Sequence, residues 1–326
     1  MSCLLPDYVN DRHYTINYRF KRNQNCQDIE YSNKTKTVAK YRNNNLLKKI
    51  VKSLLLNVLW YTLGRKNLVR LARFLNNGSR LDVDNDPKTN GETIVQSTVL
   101  KHLKQNEKIC IFDIGANIGL WTHSLFEHKQ KKSSLFVHAF EPCSETFLTF
   151  TTNLHSWNLT DNVKPNKLAL SSSISKRTFY SLGPNIGTNS LSPPADVTKC
   201  EIESVLTETI DSYCANNNIS HIDLIKIDTE GHDMEVIYGG NNMLASRSID
   251  ILQFEYNQRW IHNRHFLRDA FELLLPLDFN IGKITPKGIE FYPDWDFELE
   301  TFTEANFLAV KQSLKSIFPR IKWWKD

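Results

Sequence analysis

The chain has 326 residues, 40% of them hydrophobic and 23% charged, which is enough apolar material for a full core and excludes a disordered tail. That length accommodates one large domain plus an extension. The net charge of +4 hides an asymmetry: residues 1–80 hold 16 Lys/Arg against 4 Asp/Glu, and the other 246 hold 24 against 32.

The N-terminal stretch MSCLLPDYVNDRHY turns polar and charged before an apolar run accumulates, so no secretory signal is expected. The six cysteines, Cys3, Cys26, Cys110, Cys143, Cys200 and Cys214, make no CxxC pair and no zinc-like Cys/His spacing. With Cys110 in a predicted strand and Cys214 on a predicted helix, they read as free thiols in a reducing, cytoplasmic compartment.

From Tyr31 to Arg80 there are 12 basic residues and no acid. A block of this kind faces phosphates, either of lipid headgroups or of nucleic acid. Within it Leu47, Ile50, Val51, Leu54, Leu55, Val58 and Leu59 recur at helical spacing, and Leu68, Leu71, Ala72 and Leu75 repeat the pattern after Gly64. One or two helices are expected, ending near Asn76–Ser79. Their apolar face either covers the main domain or lies on an anionic membrane, where lysines flanking Leu and Trp60 suit a headgroup region. Nucleic acid is the weaker partner, since no aromatic platform accompanies the charge. The stretch Ser53–Gly64 falls far short of the roughly 20 residues a membrane span requires. Residues 1–80 are therefore read as a basic, partly helical extension and 81–326 as the main domain.

Beyond Asp82, short apolar strands are predicted near 108–113, 135–140, 163–170, 222–228 and 249–255, with helical stretches between most of them. That alternation gives an α/β fold with a doubly wound, mostly parallel sheet. In such sheets ligands sit outside the carboxyl ends of the strands. The first strand ends in DIGANIG, a glycine loop that opens the next helix. It departs from the dinucleotide fingerprint, because Asn117 stands at the second glycine and Gly119 falls one residue early. The second strand, SLFVHAFEP, ends in Glu141, a carboxylate placed to accept hydrogen bonds from vicinal ribose hydroxyls. Helix capping would be its plainer role. Taken together, the two strand ends point to a nucleoside.

FDIGANIGLWT, HAFEP, LALSS, ETIDSY, IDLIKIDTEGHDMEVIYGG and ILQFEY occur in the order and at the spacing of the FkbM methyltransferases, and the chain resembles that family over residues 86–285. The resemblance implies a Rossmann-like class I fold with a seven-stranded sheet, S-adenosyl-L-methionine as methyl donor, and methylation of a hydroxyl, typically of a sugar or other secondary metabolite. It places Asp113, Gly115, Ala116, Asn117 and Gly119 around the methionine part of the cofactor, Glu141 on the ribose, and Ala169, Leu170 and Ser171 near the adenine. Phe140 and Pro142 would wall the same pocket. Where the family often carries an aspartate near the adenine, this chain has Ser172.

The fourth strand ends in KIDTEGHD, and here the chemistry is expected. Methyl transfer needs an acceptor oxygen aligned behind the methyl group and a base for its proton. Asp228, His232 and Glu230 are the candidates: Asp228 caps the strand, and His232 has an ordinary pKa near neutrality. A plain Lys226–Asp228 ion pair and a solvated His232 are the alternatives. No metal is expected, because the spacing matches no closed metal site and sulfonium chemistry needs none. Glu255, Tyr256, Arg259 and Trp260 form either a sugar-binding rim or packing aromatics. The aromatic C-terminal stretches FYPDWDFELE and IFPRIKWWKD either complete an acceptor pocket or pack on the N-terminal helices. The sequence thus reads as an O-methyltransferase acting on a saccharide hydroxyl of a glycan, glycolipid or secondary metabolite, with peripheral membrane contact through the basic block. Methylation of RNA ribose and a non-catalytic nucleoside-binding scaffold are the competing readings.

Overall fold

A computed structural model of the chain describes residues 27–82, 86–102, 108–127, 135–183, 186–193 and 196–326, with side chains from Leu47 onward. Cys3, Cys26 and the stretch read for a secretory signal lie outside the described residues. Cys110, Cys143, Cys200 and Cys214 are all free thiols. No described helix is long and apolar enough to cross a membrane.

The chain divides into two compact units, residues 1–74 and 75–326. Helix α1 runs over Gln27–Arg80 and is interrupted at Gly64, whose φ of 73° and ψ of 156° are non-helical. It is therefore two helical segments, as the break in the leucine pattern at Gly64 leads one to expect. The second segment runs slightly past Asn76–Ser79, to Arg80.

The larger unit follows the order α2 (Glu92–His102), β1 (Ile109–Ile114), α3 (Leu120–Glu127), β2 (Leu135–Phe140), α4 (Ser144–Ser156), β3 (Val163–Asn166), β4 (Ala169–Leu170), β5 (Ser175–Ser181), β6 (Glu201–Glu208), α5 (Ile210–Asn216) and β7 (Leu224–Ile227). It continues with α6 (Asp233–Tyr238), α7 (Asn241–Ala245), β8 (Ile251–Tyr256), α8 (Leu267–Leu274), β9 (Phe279–Thr285), β10 (Gly288–Tyr292), β11 (Ala305–Lys311) and β12 (Arg320–Ile321). The main sheet has the order β12-β10-β9-β11-β8-β7-β1-β2-β3. Strands β3, β2, β1, β7 and β8 are parallel, and β11 enters antiparallel between β8 and β9.

The sheet has nine strands rather than seven, because β10 pairs with β9 and β12 pairs with β10 beyond the expected edge. The strand predicted over 163–170 is divided. β3 joins the main sheet, whereas Ala169 and Leu170 pair with Thr207 and Glu208 of β6 in a three-stranded sheet of order β4-β6-β5.

Both faces of the main sheet are buried, which explains why its central strands read as continuous apolar runs. Along β1, Phe112 and Ile114 face one core with Phe140, Tyr213, Ile225 and Ile227, while Ile109 and Ile111 face the other with Val137, Leu125 and Leu224. The two-residue period of a strand assigns alternate side chains to the two cores. Tyr256, Trp260, Tyr292 and Trp323 all belong to the first core. Tyr256 and Trp260 are thus packing aromatics and not a sugar-binding rim. The C-terminal Trp323 rests edge-on against Tyr292, with ring centroids 5.3 Å apart.

Candidate active site

The chain leaves β1 for β2 on one side of the sheet, while β7 pairs on the other side. Between the two is the switch point where a doubly wound sheet opens a crevice at its carboxyl edge. The loop after β1 is tied across this edge, with Gly115 and Ala116 N–H groups both donating to the Phe140 carbonyl at 3.0 and 2.9 Å. Gly115 has φ +81°, and a Cβ there would stand 1.9 Å from the Asp228 carbonyl oxygen. Only glycine lets the ends of β1 and β7 approach this closely.

A cavity opens at this point. Of the residues the sequence assigns to the cofactor, Gly115, Asn117, Phe140, Glu141, Pro142, Ala169 and Leu170 line it. Asp113, Ala116, Gly119 and Ser171 are not in its wall. Gly119 packs on the Phe150 ring, Ser171 is fully buried against His232, and Ala116 is buried in the second core.

Glu141 is the polar centre of the cavity. Its Oε2 accepts the Asn117 N–H at 3.0 Å and its Oε1 the Cys143 N–H at 2.8 Å. Burial pushes its pKa up to about 7 against those two N–H groups. Each carboxylate oxygen retains a lone pair for a second donor. Nearby, the Asn117 side-chain oxygen is buried without a protein partner.

Asp113 faces the other way, because strand register pairs it with Lys226 of β7, and Lys226 in turn pairs with Gln253 of β8. The Lys226 ammonium sits 3.1 Å from Asp228 Oδ2 and 3.7 Å from Asp113 Oδ1, and Thr122 donates to Asp113 Oδ2 at 2.5 Å. Burial works against the charged lysine, yet Asp228, Asp113 and Glu92 together hold its pKa above the ordinary value. Burial raises the Asp113 and Glu92 carboxyls, with Lys226 opposing in both cases. Asp113 is therefore the buried anchor of the lysine that positions Asp228.

Asp228, Thr229 and His232 reach the cavity, whereas Glu230 does not line it. The Asp228 side chain is 38% exposed, so it is held by Lys226 on one side and open on the other. Glu230 turns away at φ +57° to pair with Arg259. Burial first, then Asp228, pushes the Glu230 carboxyl up to about 8. His232 is buried rather than solvated, and its Nε2 lies 3.0 Å from Ser171 Oγ. Burial, with a contribution from Arg177, lowers its pKa to about 4. The ring is therefore neutral at physiological pH and only weakly basic. Carboxylate oxygens of Asp228, Glu230 and Glu255 lie within 4.8 Å of one another, and His232 is not part of that group.

The rest of the wall comes from residues outside the sequence-predicted set: Ile114, Thr146, Leu168, Phe179, Ile186, Gly187, Asn189 and Leu191. Residues 186–192 form a strap whose neighbouring members face two cavities. Ile186, Gly187, Asn189 and Leu191 face the first, while Thr188, Ser190 and Ser192 face a second. Ser190 Oγ fastens the strap by donating to the Thr229 and Glu230 carbonyls at 3.2 and 3.0 Å. The second cavity is completed by Tyr180, Leu182, Pro193, Gln258, Arg259 and His262, with no carboxylate side chain in its wall among the described residues.

The Methyltransferase FkbM domain family matches residues 113–305, and the chain belongs to that family. The hexuronic acid methyltransferase AglP of Haloferax volcanii is 29% identical over 165 residues, half of this chain. The match spans 62% of that relative's length. Among solved structures, the methyltransferase FkbM of Methylobacillus flagellatus is similar at a TM-score of 0.40 and 17% identity, over 65% of this chain and 47% of its own. The M. capricolum TrmK complex with S-adenosyl-homocysteine is similar at a TM-score of 0.38 and 11% identity, over 71% and 70%.

Proposed function

We propose that the protein is an S-adenosyl-L-methionine-dependent O-methyltransferase whose acceptor is a saccharide hydroxyl. The observation that carries this reading is the cavity at the sheet's switch point, with the Glu141 carboxylate in its wall and Asp228 beside it. The residues fit the donor. Glu141 offers free lone pairs to two vicinal hydroxyls, Phe140, Pro142, Leu170 and Phe179 give apolar walls, and the Asn117 oxygen lacks a protein partner. Bound there, the donor supplies an electrophilic methyl on a cationic sulfur, so that a C–S bond breaks as the acceptor C–O bond forms.

The chain's own part is orientation and proton removal. Asp228 accepts the acceptor hydroxyl proton, and Lys226 fixes the direction in which its carboxylate points. Glu230 holds Arg259, and neutral His232 holds Ser171 of the β4 end. The reacting hydroxyl meets Asp228 in the first cavity, and the second cavity, on the other side of the strap, takes the remainder of the acceptor: its hydroxyls and Gln258 suit a sugar, and His262 with the Glu230-paired Arg259 suits an acidic group on it. The hexuronic acid activity named for the Haloferax relative supports an acidic sugar.

Calorimetric titration of S-adenosyl-L-methionine and its demethylated product tests the reading, followed by turnover on glucuronides and neutral glycosides. Micromolar binding of both ligands with methyl transfer to a glycoside is the expected result; absence of binding would remove the proposal. Asp228→Asn is expected to lower kcat about 10²-fold while donor affinity stays within a few-fold, measured by single-turnover assay and calorimetry. Undiminished turnover would take the base role from Asp228.

Donor affinity should also depend on pH. The ionised Glu141 accepts the ribose hydroxyls, and its pKa in the free protein is raised to about 7. Affinity is then flat above pH 8 and falls as pH drops through 7, by about tenfold between pH 8 and pH 6. Glu141→Gln should abolish this slope in the same titrations.

A further inference from the structure

We propose that residues 47–75 form a peripheral docking element for an anionic lipid surface. In the first helical segment Leu47, Ile50, Val51, Leu54, Leu55 and Val58 form one stripe at i, i+3, i+4 and i+7 spacing, all of them exposed. Leu54 and Leu55 are 60% and 59% exposed, as are Trp60 and Tyr61 at 51% and 87%. So continuous an exposed apolar surface marks an interaction site rather than scattered surface hydrophobes. Beyond the Gly64 break, Val69, Leu71, Phe74 and Leu75 continue the exposed apolar positions.

Charge selects the occupant. Lys48, Lys49 and Lys52 flank the stripe, Arg65, Lys66, Arg70 and Arg73 follow, and the sequence from Tyr31 to Arg80 contains no acid. A second copy of the chain would bring two such basic blocks together, and like charges resist that pairing. Nucleic acid would satisfy the lysines but leave the leucine and valine stripe without a counterpart. An anionic leaflet satisfies both, because headgroups meet the cations while the aliphatic stripe enters the acyl boundary, and Trp60 and Tyr61 suit the interface between the two. The segment lies on the membrane and does not cross it: Lys48, Lys49 and Lys52 interrupt its apolar stripe, and no described helix is long and apolar enough to cross.

Flotation of the full chain with vesicles tests this, using phosphatidylcholine alone and phosphatidylcholine with about 30 mol% phosphatidylglycerol, at low and high salt. Partition should require the anionic lipid and weaken with salt. Lys48→Glu/Lys49→Glu/Lys52→Glu should reduce it by at least about 10², at about fivefold for each of the three cations lost, with the added acids lowering it further. Leu54→Asp/Val58→Asp should abolish it while donor binding persists, which shows that the variant is folded. The inference is overturned by equal partition into both vesicles, by no partition, or by charge-reversed and apolar-stripe variants that bind as the wild type does. It is equally overturned if a structured RNA displaces the vesicles, or if sedimentation shows a dimer that Leu54→Asp/Val58→Asp dissociates.

Discussion

Replacing Glu141 by alanine should lower affinity for S-adenosylhomocysteine by about 10²–10³. Two hydrogen bonds to an ionised carboxylate contribute on the order of 1.5–3 kcal/mol each. The loss is tempered because the carboxyl titrates near 7 and is partly protonated in the empty site. Titration calorimetry at pH 8, where the group is ionised, gives the cleanest reading. Alanine binding within about threefold of wild type would show that Glu141 serves only the loop, through its bonds to Asn117 and Cys143.

A stability measurement separates these roles. A carboxyl whose folded pKa is raised from 4.5 to about 7 contributes stability below pH 4.5 that is lost as pH rises through 7, about 3 kcal/mol in all. At pH 8 the empty site is therefore strained by an ionised Glu141. Alanine should cost little in thermal midpoint there even as binding collapses. A large fall in midpoint with a modest fall in affinity would make Glu141 a structural cap instead.

The parts of this fold that a reader of the sequence can see are those dictated by two-sided burial. β1, β2 and β7 are largely apolar runs, and the residues that follow them, Gly115, Glu141 and Asp228, line the crevice. What escaped was the strap and the hairpin that carries it. In β6, Ile202, Val205 and Leu206 are spaced like one helix face, yet the structure makes a strand that buries Val205 and Thr207 and leaves Ile202 and Leu206 exposed. A partly exposed small sheet breaks the link between hydrophobicity and burial on which periodicity depends. β5 escaped with it, because SKRTFYS is mostly polar and only Phe179 and Ser181 of it are buried. Asp113 escaped for another reason. Its place at a strand end resembles a ligand contact, but its direction is set by register with Lys226, which pairwise strand geometry fixes and a single segment does not show.

That register makes Lys226→Met the most damaging substitution expected in the buried polar row. Lys226 is 6% exposed, and its ammonium serves Asp113, Asp228 and the field of Glu92 at once. Removing one member of a buried charge group leaves the others uncompensated and costs about 3–5 kcal/mol, even where the intact group contributes little net stability. For a unit of this size the thermal midpoint should fall by roughly 6–20 °C at neutral pH. The deficit has a sign in pH. Asp113 and Glu92 are already raised by burial, and Lys226 is the charge that holds them down. Without it both carboxyls rise further, so the variant's stability is best retained in acid, where they are protonated, and is lost as pH rises above about 4. Adding Asp113→Asn should return part of the lost midpoint, because the amide keeps a partner for Thr122 without a buried charge. A Lys226→Met midpoint equal to wild type between pH 5 and 8 would mean the ammonium does not hold the acids, and the positioning of Asp228 would then need another source.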